Sequence, residues 1–265
     1  MSEPRGIPKA AGGAAESAYA CRAMTDDDFC AALTATISSS APELHAFRRD
    51  LHAHPELSRQ ETRTTKRIIE RLSGAGLAVR PFPGTGLVVD IGPEQASYRV
   101  ALRADIDALP VRERTGLDFA STNPGVCHAC GHDVHTAALL GAVLALATHE
   151  DELRERGIAV RAIFQAAEEI IPGGAHDAIA HRAMEGVDSV FALHCDPSLD
   201  VGQVGLREGP LTAACDHVRV LLHGRGGHTS RPQLTEDLIF ALGKVITEVP
   251  AALGRRLDPR AGAAL

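Results

Sequence analysis

Aromatic side chains are scarce in this sequence: they make up 3% of the residues, with no Trp and two Tyr. Surfaces that stack nucleic-acid bases or sugar rings depend on exposed aromatic side chains, so this composition argues against both. Positive charge is also thin, because 34 acidic residues outnumber 27 basic ones and no basic block occurs. The net charge of -7 gives no indication of nucleic acid or an anionic membrane as a partner.

Long hydrophobic runs are absent as well. The longest, Ala137–Ala147, contains a Gly and is too short to span a bilayer, so it predicts a buried helix. The six cysteines show no even framework of spacings, which favours a reducing compartment over a secreted disulfide scaffold. The N-terminus lacks a basic-then-apolar signal pattern, and we expect a cytoplasmic protein.

The first part of the chain has no hydrophobic period and is typical of a disordered leader. This composition is clearest over 1–23, and we assign 1–36 to the leader. From Pro42 to Leu72 apolar residues recur at helical spacing. Pro55 interrupts this pattern, because proline disfavours helix at the residue before it.

Short β-like runs then alternate with helical patterns, which predicts an α/β fold with a mostly parallel sheet covered by helices on both faces. The predicted strands are Leu87–Ile91, Tyr98–Leu102, Ile158–Phe164 and Val187–Leu193. A helix is expected over Thr136–Ala147. These elements form the first predicted domain, residues 37–208.

The pattern changes from residue 209 onward. Asp216–Leu222 alternates like an antiparallel strand, Thr235–Leu257 predicts an amphipathic helix, and Ala261–Leu265 begins another strand. So few elements bury little apolar surface by themselves. We therefore interpret 209–265 as an incomplete second domain.

Ligand-type side chains follow three of the predicted strands, and in an open α/β sheet ligands bind beyond the carboxyl ends of the strands. These side chains are Asp105, Asp107, Glu168, Glu169 and His194. The loop before the helix at Thr136 adds Cys127, His128, Cys130, His132, Asp133 and His135. Each position offers a metal ligand or a proton-transfer group, and none offers a phosphate cradle.

Each part of this set has a simpler interpretation when taken alone. The two Asp residues are compatible with loop capping, and the adjacent Glu residues with a solvated charged pair. A single histidine at a strand end is typical of a satisfied core residue. Cys127 and Cys130 have the spacing of half a structural zinc site, but no second pair is spaced to complete it. The whole set favours a catalytic metal site.

Six stretches resemble the aminoacylase-like dinuclear metallohydrolases, which include hippurate hydrolase, indoleacetyl-amino-acid hydrolases and N-acetyldiaminopimelate deacetylase. The stretches are FRRDLHAHPELSRQET (47–62), ALRADIDALPV (101–111), HACGHDVHTAALLG (128–141), FQAAEE (164–169), FALH (191–194) and GRGGHTSRP (224–232). The resemblance implies a zinc-peptidase-like catalytic domain, interrupted by an inserted α+β domain that pairs subunits into a homodimer.

By position in these stretches, the resemblance implies four ligands for two divalent ions of manganese, zinc or cobalt: Cys130, His132, Glu169 and His194. Glu168 matches the general acid/base, and Asp107 matches a carboxylate that orients a ligand. His228 resembles a histidine that reaches into the partner's active site and steadies the developing oxyanion. His128 and His135 remain candidates for supporting or helix-capping roles, and Cys195 has no assigned role.

The implied reaction is hydrolysis of the amide bond of N-acyl amino acids. Two divalent ions lower the pKa of water toward about 7 and polarise the carbonyl. A carboxylate that is not a ligand then takes the water's proton and passes it to the leaving nitrogen. Adjacent residues of a regular strand point to opposite faces, so Glu168 and Glu169 can share a site only where the strand has ended.

The resemblance also implies a last histidine ligand from a segment after the inserted domain, whereas this sequence ends at Leu265. We therefore expect a C-terminally truncated catalytic domain and a metal site that lacks one ligand. Three alternatives stay open: a metal-binding module without hydrolysis, a metallo-exopeptidase that acts on free peptides, and an inactive fragment that dimerises through 209–265.

Overall fold

The computed structural model describes residues 24–209, 211–212, 218–228 and 230–256. The chain divides into two compact units between Gly205 and Leu206, close to the boundary that the sequence placed after residue 208. The leader over 1–23 and the predicted strand over Ala261–Leu265 lie outside the described residues.

Two helices precede the sheet of the first unit, α1 over Asp26–Ala53 and α2 over Thr62–Gly74. The Thr25 side chain caps α1 by accepting the N–H of Asp28, and three acidic residues in the first turn complement the helix dipole. Residues 26–36 are therefore helical, and their assignment to the leader is corrected. The break between the two helices contains Pro55, as the sequence predicts.

A five-stranded sheet in the order β1-β2-β4-β3-β5 forms the centre of the first unit. The strands are β1 Val79–Pro81, β2 Leu87–Ile91, β3 Tyr98–Asp105, β4 Ile158–Gln165 and β5 Ser189–Ala192. The α/β class is confirmed. The sheet, however, is mixed: β3 is parallel to β4 and β5, whereas β2 is antiparallel to β1 and β4. The short connection between β1 and β2 permits only antiparallel pairing of those two strands.

Helices cover both faces of the sheet, as expected. They include α3 over His132–Thr148, α4 over Glu150–Glu155 and α5 over Gly174–Ala180. The larger core joins α1, α2 and α3 to one face, with Leu51, Leu72, Leu140 and Phe164 fully buried. A smaller cluster that includes Val88 and Ala178 packs on the other face. Within the described ranges, no helix combines the length and the hydropathy needed to cross a bilayer.

The second unit contains helix α6 over Leu238–Gly254, which confirms the core of the helix predicted there. The Asp237 side chain caps α6 by accepting the N–H of Phe240. Residues 218–222 form no strand, so the strand predicted over Asp216–Leu222 is wrong in its described part. A strand requires backbone hydrogen bonds to a neighbour, and no described residue of this unit pairs with that segment.

Candidate metal centre

The candidate centre is built around His132, the first residue of α3. The preceding Gly131 has φ 88°, a left-handed conformation that glycine adopts without steric cost. A Cβ at this position would lie 3.0 Å from Sγ of Cys195. Glycine is therefore required both by the turn and by the close approach of Cys195.

The ring of His132 is fully buried, and its two nitrogens have different surroundings. Nδ1 lies 2.9 Å from the backbone oxygen of Asp107. Nε2 lies 3.5 Å from a carboxylate oxygen of Asp105 and 3.7 Å from one of Glu169. Burial opposes charge on the ring, but the Asp107 carboxylate, 3.3 Å from Nδ1, and the other nearby carboxylates raise the pKa of His132 above its usual value.

Three overlapping groups of ligand-type side chains share His132. They are Cys130, His132 and His194; Asp105, His132 and His135; and His132, Glu168 and Glu169. Within each group the potential ligand atoms all lie within 4.8 Å of one another. Six of the seven predicted site residues belong to these groups or, like Asp107, contact them directly.

Glu168 and Glu169 lie on an irregular segment after β4, which ends at Gln165. Ala167 has φ 52°, in the left-handed region that a non-glycine residue seldom adopts. This turn breaks the strand's alternation, so the exposed Glu168 and the half-buried Glu169 both approach His132. The geometry meets the condition that the strand must end before the two carboxylates can share a site.

Asp107 connects several parts of the centre. Its Oδ2 accepts the Ser58 hydroxyl at 2.6 Å and the backbone N–H of Glu169 at 3.0 Å. Burial alone would raise the pKa of Asp107, but hydrogen bonds from His132, Ser58 and the Glu169 and Glu168 backbone outweigh it and lower the pKa to about 2. Asp107 is therefore a carboxylate at neutral pH that fixes both a histidine and the glutamate segment.

Two other groups in the centre have raised pKa values. Burial, followed by the charge of Glu168, raises the pKa of Glu169. Burial, followed by the charge of Glu169, raises the pKa of the Cys130 thiol to about 12. Crowded carboxylates next to a thiol form a site whose negative charge a divalent cation would offset.

His194 follows β5 at the edge of the centre, with Nε2 3.3 Å from Sγ of Cys130. The next residue, Cys195, donates its backbone N–H to Nε2 of His135 at 2.8 Å. His135 in turn holds Asp105 through Nδ1, at 2.7 Å. His135 thus has partners on both nitrogens and supports the strand-end segment that carries His194.

The sequence did not indicate a buried polar network beside the centre. Asp133 accepts hydrogen bonds from Arg48 at 2.6 Å and from Nδ1 of His52 at 2.9 Å. Nε2 of His52 lies 3.1 Å from Glu113. Burial would raise the pKa of Glu113, but hydrogen bonds from neighbours that include His52 lower it to about 2. The FRRDLHAH stretch contains two of these residues, but only their contacts with α3 reveal the network.

His128 and His228 occupy different surroundings. His128 is 6% exposed, and neither ring nitrogen has a hydrogen-bond partner among the described residues. Burial lowers the pKa of His128 to about 4. His228 lies in the second unit, where its Nδ1 is 2.7 Å from the hydroxyl of Ser230.

The donor atoms of the centre fit a divalent metal. His132 Nε2 and Glu169 Oε1 are buried polar atoms that have no hydrogen-bond partner within the described ranges. Such atoms are costly unless another group satisfies them. Imidazole, thiolate and carboxylate ligands together suit zinc, manganese and cobalt.

The chain is similar in sequence to several known proteins. The sequence model described as Peptidase family M20/M25/M40 matches residues 101–259, which is more than half of the chain. N-acetyl-L-cysteine deacetylase of Bacillus subtilis is 41% identical over 230 residues, which are 86% of this chain and 54% of that protein. A putative glutamate–cysteine ligase 2-3 of Rhodococcus jostii is 48% identical over 97% of this chain, but this match is only 32% of that protein.

A solved structure is similar as well: a dinuclear metal-binding peptidase of the M20 family from Bacillus subtilis. It matches with a TM-score of 0.61 and 43% identity, and the match covers 66% of this chain and 48% of that one. The chain thus spans about half the length of this peptidase and of the deacetylase, and a third of the ligase.

Proposed function

The chain belongs to peptidase family M20/M25/M40, and on this premise we propose that it acts in metal-dependent hydrolysis of the amide bond of N-acyl amino acids. The observation that carries the proposal is the pair of buried atoms, His132 Nε2 and Glu169 Oε1, that face each other 3.7 Å apart without hydrogen-bond partners within the described residues. The similarity to a deacetylase of N-acetyl-L-cysteine supports the substrate class.

The proposed ligands are Cys130, His132, Glu169 and His194. When bound, two divalent ions supply Lewis acidity, which lowers the pKa of water and polarises an amide carbonyl. The similar dinuclear peptidase supports the number of ions. Asp107 orients the imidazole of His132 and holds the Glu169 backbone, so that both ligand atoms keep their positions.

Glu168 is the proposed general base and acid. Its side chain is exposed, whereas that of Glu169 is half-buried, so the two neighbours are suited to different tasks. The Glu168 carboxylate takes a proton from the attacking water and delivers it to the amide nitrogen as the carbon–nitrogen bond breaks. An amine leaves far more readily once it is protonated.

Residues 209–265 are proposed to pair two subunits, with His228 steadying the oxyanion in the partner's site. The imidazole of His228 is exposed, with a hydroxyl partner on one nitrogen only. Mixing Glu168→Gln with His228→Ala subunits tests this: if the histidine acts across the dimer, two inactive variants together regain activity. Failure to regain activity in a mixed dimer would leave no role for His228 between subunits.

The decisive experiment measures zinc and manganese per chain after dialysis, together with hydrolysis of N-acetyl amino acids. Glu168→Gln should keep the metal and lose hydrolysis by roughly 10²–10⁴-fold, the usual contribution of general acid–base catalysis. Cys130→Ser should lose metal and hydrolysis together. Hydrolysis that survives in Glu168→Gln would overturn the assignment of the base, and a wild-type chain without metal would overturn the metal-dependent function.

A further inference from the structure

Glu61 is fully buried, with 0% of its surface exposed. The proposed reaction assigns no role to its carboxyl group. Its Oε1 accepts the backbone N–H of Ala167 at 2.7 Å, and its Oε2 accepts the hydroxyl of Thr85 at 2.7 Å. Both partners are neutral donors. Burying an acidic group costs free energy unless hydrogen bonds compensate for it. The two hydrogen bonds of Glu61 supply this compensation and connect it to two distant segments of the chain.

The position of Glu61 in the chain makes its contacts unusual. It is the N-cap residue of α2, where an acidic side chain commonly accepts a hydrogen bond from the first turn, but Glu61 makes no such bond. Glu56 performs the capping instead, with one carboxylate oxygen 2.9 Å from the N–H of Arg63 and the other 2.7 Å from that of Thr64. Glu61 is thereby free to reach Ala167.

Ala167 is the residue whose left-handed conformation turns the chain between β4 and the two glutamates, with φ 52°. Its carbonyl accepts the N–H of Gly174 at 2.8 Å, so the residue is held from both sides. A Cβ on Gly174 would lie 2.0 Å from the carbonyl oxygen of Ala166, which shows how closely the two segments approach. Strained backbone of this kind persists only where its surroundings enforce it.

We propose that Glu61 is a positioning residue that sets the placement of Glu168 and Glu169 through its hydrogen bond to the Ala167 backbone. It acts at a distance from the ligand atoms, and its importance to hydrolysis rests on the proposed function. An apolar residue in its place leaves the Ala167 N–H buried without an acceptor. The peptide group before Ala167 is then expected to rotate toward another acceptor. This rotation would move the Glu169 N–H away from the Asp107 carboxylate that accepts it.

The test uses the full 265-residue chain and Co²⁺ as the probe, with affinity from calorimetry and ligand geometry from the visible absorption of bound cobalt. Glu61→Leu should weaken Co²⁺ binding roughly 10–100-fold and change the cobalt spectrum, as is usual when a residue that supports metal ligands is lost. Glu61→Gln keeps an acceptor for the Ala167 N–H, so its Co²⁺ affinity and cobalt spectrum should match those of the wild type. Glu56→Ala is the matched control, because it removes the α2 cap and lowers the melting temperature without touching Ala167.

A second measurement does not depend on metal: hydrogen exchange of the metal-free chain over residues 164–174. Glu61→Leu should raise exchange at 166–169 at least tenfold, whereas Glu61→Gln and Glu56→Ala should not. If Glu61→Leu does not fold, Thr85→Val, which removes only the donor to Oε2, should give a smaller change of the same kind. The proposal would be overturned if Glu61→Leu showed the same hydrogen exchange and the same cobalt affinity as the wild type. It would also be overturned if Glu56→Ala lost exchange protection and cobalt affinity to the same extent as Glu61→Leu. A wild-type chain that binds no cobalt would overturn the metal site, and the exchange result would still decide the role of Glu61.

Discussion

The Nδ1 atom of His132 lies 2.9 Å from the backbone oxygen of Asp107, and this contact decides which ring nitrogen faces the acidic cluster. A carbonyl oxygen only accepts, so Nδ1 carries the proton and donates it. Nε2 faces the carboxylates, and in the neutral ring its lone pair is available to a metal ion, as a metal-binding histidine requires. The metal affinity and the stability of the centre depend on the contacts that keep His132 and the carboxylates in these positions.

Asp107→Ala should weaken zinc binding roughly 10–100-fold, because the substitution removes the carboxylate that Ser58 and the Glu169 backbone both contact. The backbone carbonyl that orients His132 remains, so binding should be weakened and not abolished. Calorimetric titration of both proteins measures the effect. Ser58→Ala removes only one donor to Asp107, so its zinc affinity should lie between those of the wild type and Asp107→Ala. Unchanged affinity in Asp107→Ala would contradict the role proposed for this carboxylate.

Zinc binding should strengthen as the pH rises from 6 to 8. The Cys130 thiol has its pKa raised to about 12 by burial and by Glu169, so it is protonated throughout this range in the metal-free chain. A thiolate ligand must lose that proton, which makes the apparent affinity grow about tenfold per pH unit for each proton released. Titrations in two buffers of different ionisation enthalpy count the protons, and Cys130→Ala should release one fewer. Equal counts would exclude the thiol as a ligand.

The metal-free chain should lose stability in acid. Asp107 has a folded-state pKa of about 2, below the ordinary value of 3.8. A carboxyl group with a depressed pKa contributes stability that is present above pH 3.8 and is lost as the pH falls through 2. The shift corresponds to about 2 kcal/mol. Urea unfolding between pH 5 and pH 2 should show this loss, with a shallower dependence in Asp107→Asn. If the free energy of unfolding falls equally with pH in both proteins, groups other than Asp107 cause the loss of stability in acid.

Gly131→Ala should lower both stability and metal content. The left-handed φ of 88° costs a β-carbon about 1–2 kcal/mol. The new Cβ would also meet Cys195 at 3.0 Å from Sγ, next to His194. Gly125→Ala is the matched control, because its φ is 81° but nothing lies within 4 Å of the added atom. Both variants should lose stability, but only Gly131→Ala should lose metal. Equal metal content would show that the approach of Cys195 does not matter.

Much of the first unit follows from local sequence signals. The short β-like run Leu87–Ile91 predicts β2 with its observed bounds, and the run beginning at Ile158 predicts β4 to within one residue. These segments are apolar, short and bounded by turn residues, so their secondary structure depends little on distant contacts. The start of α1 was misplaced because the Thr25 cap precedes a stretch with weak apolar periodicity.

The sequence by itself determined the α/β class and the set of ligand-type side chains that follow the strands, because both depend on local pattern and on the common edge at which parallel strands end. The direction of β2 against β4, the Asp105–His135 pair and the reach of Glu61 to Ala167 were decided only by the tertiary structure. Glu61 and Ala167 are 106 residues apart. Whether a buried acid caps its own helix or holds a distant turn depends on which backbone donor the packed core brings within reach.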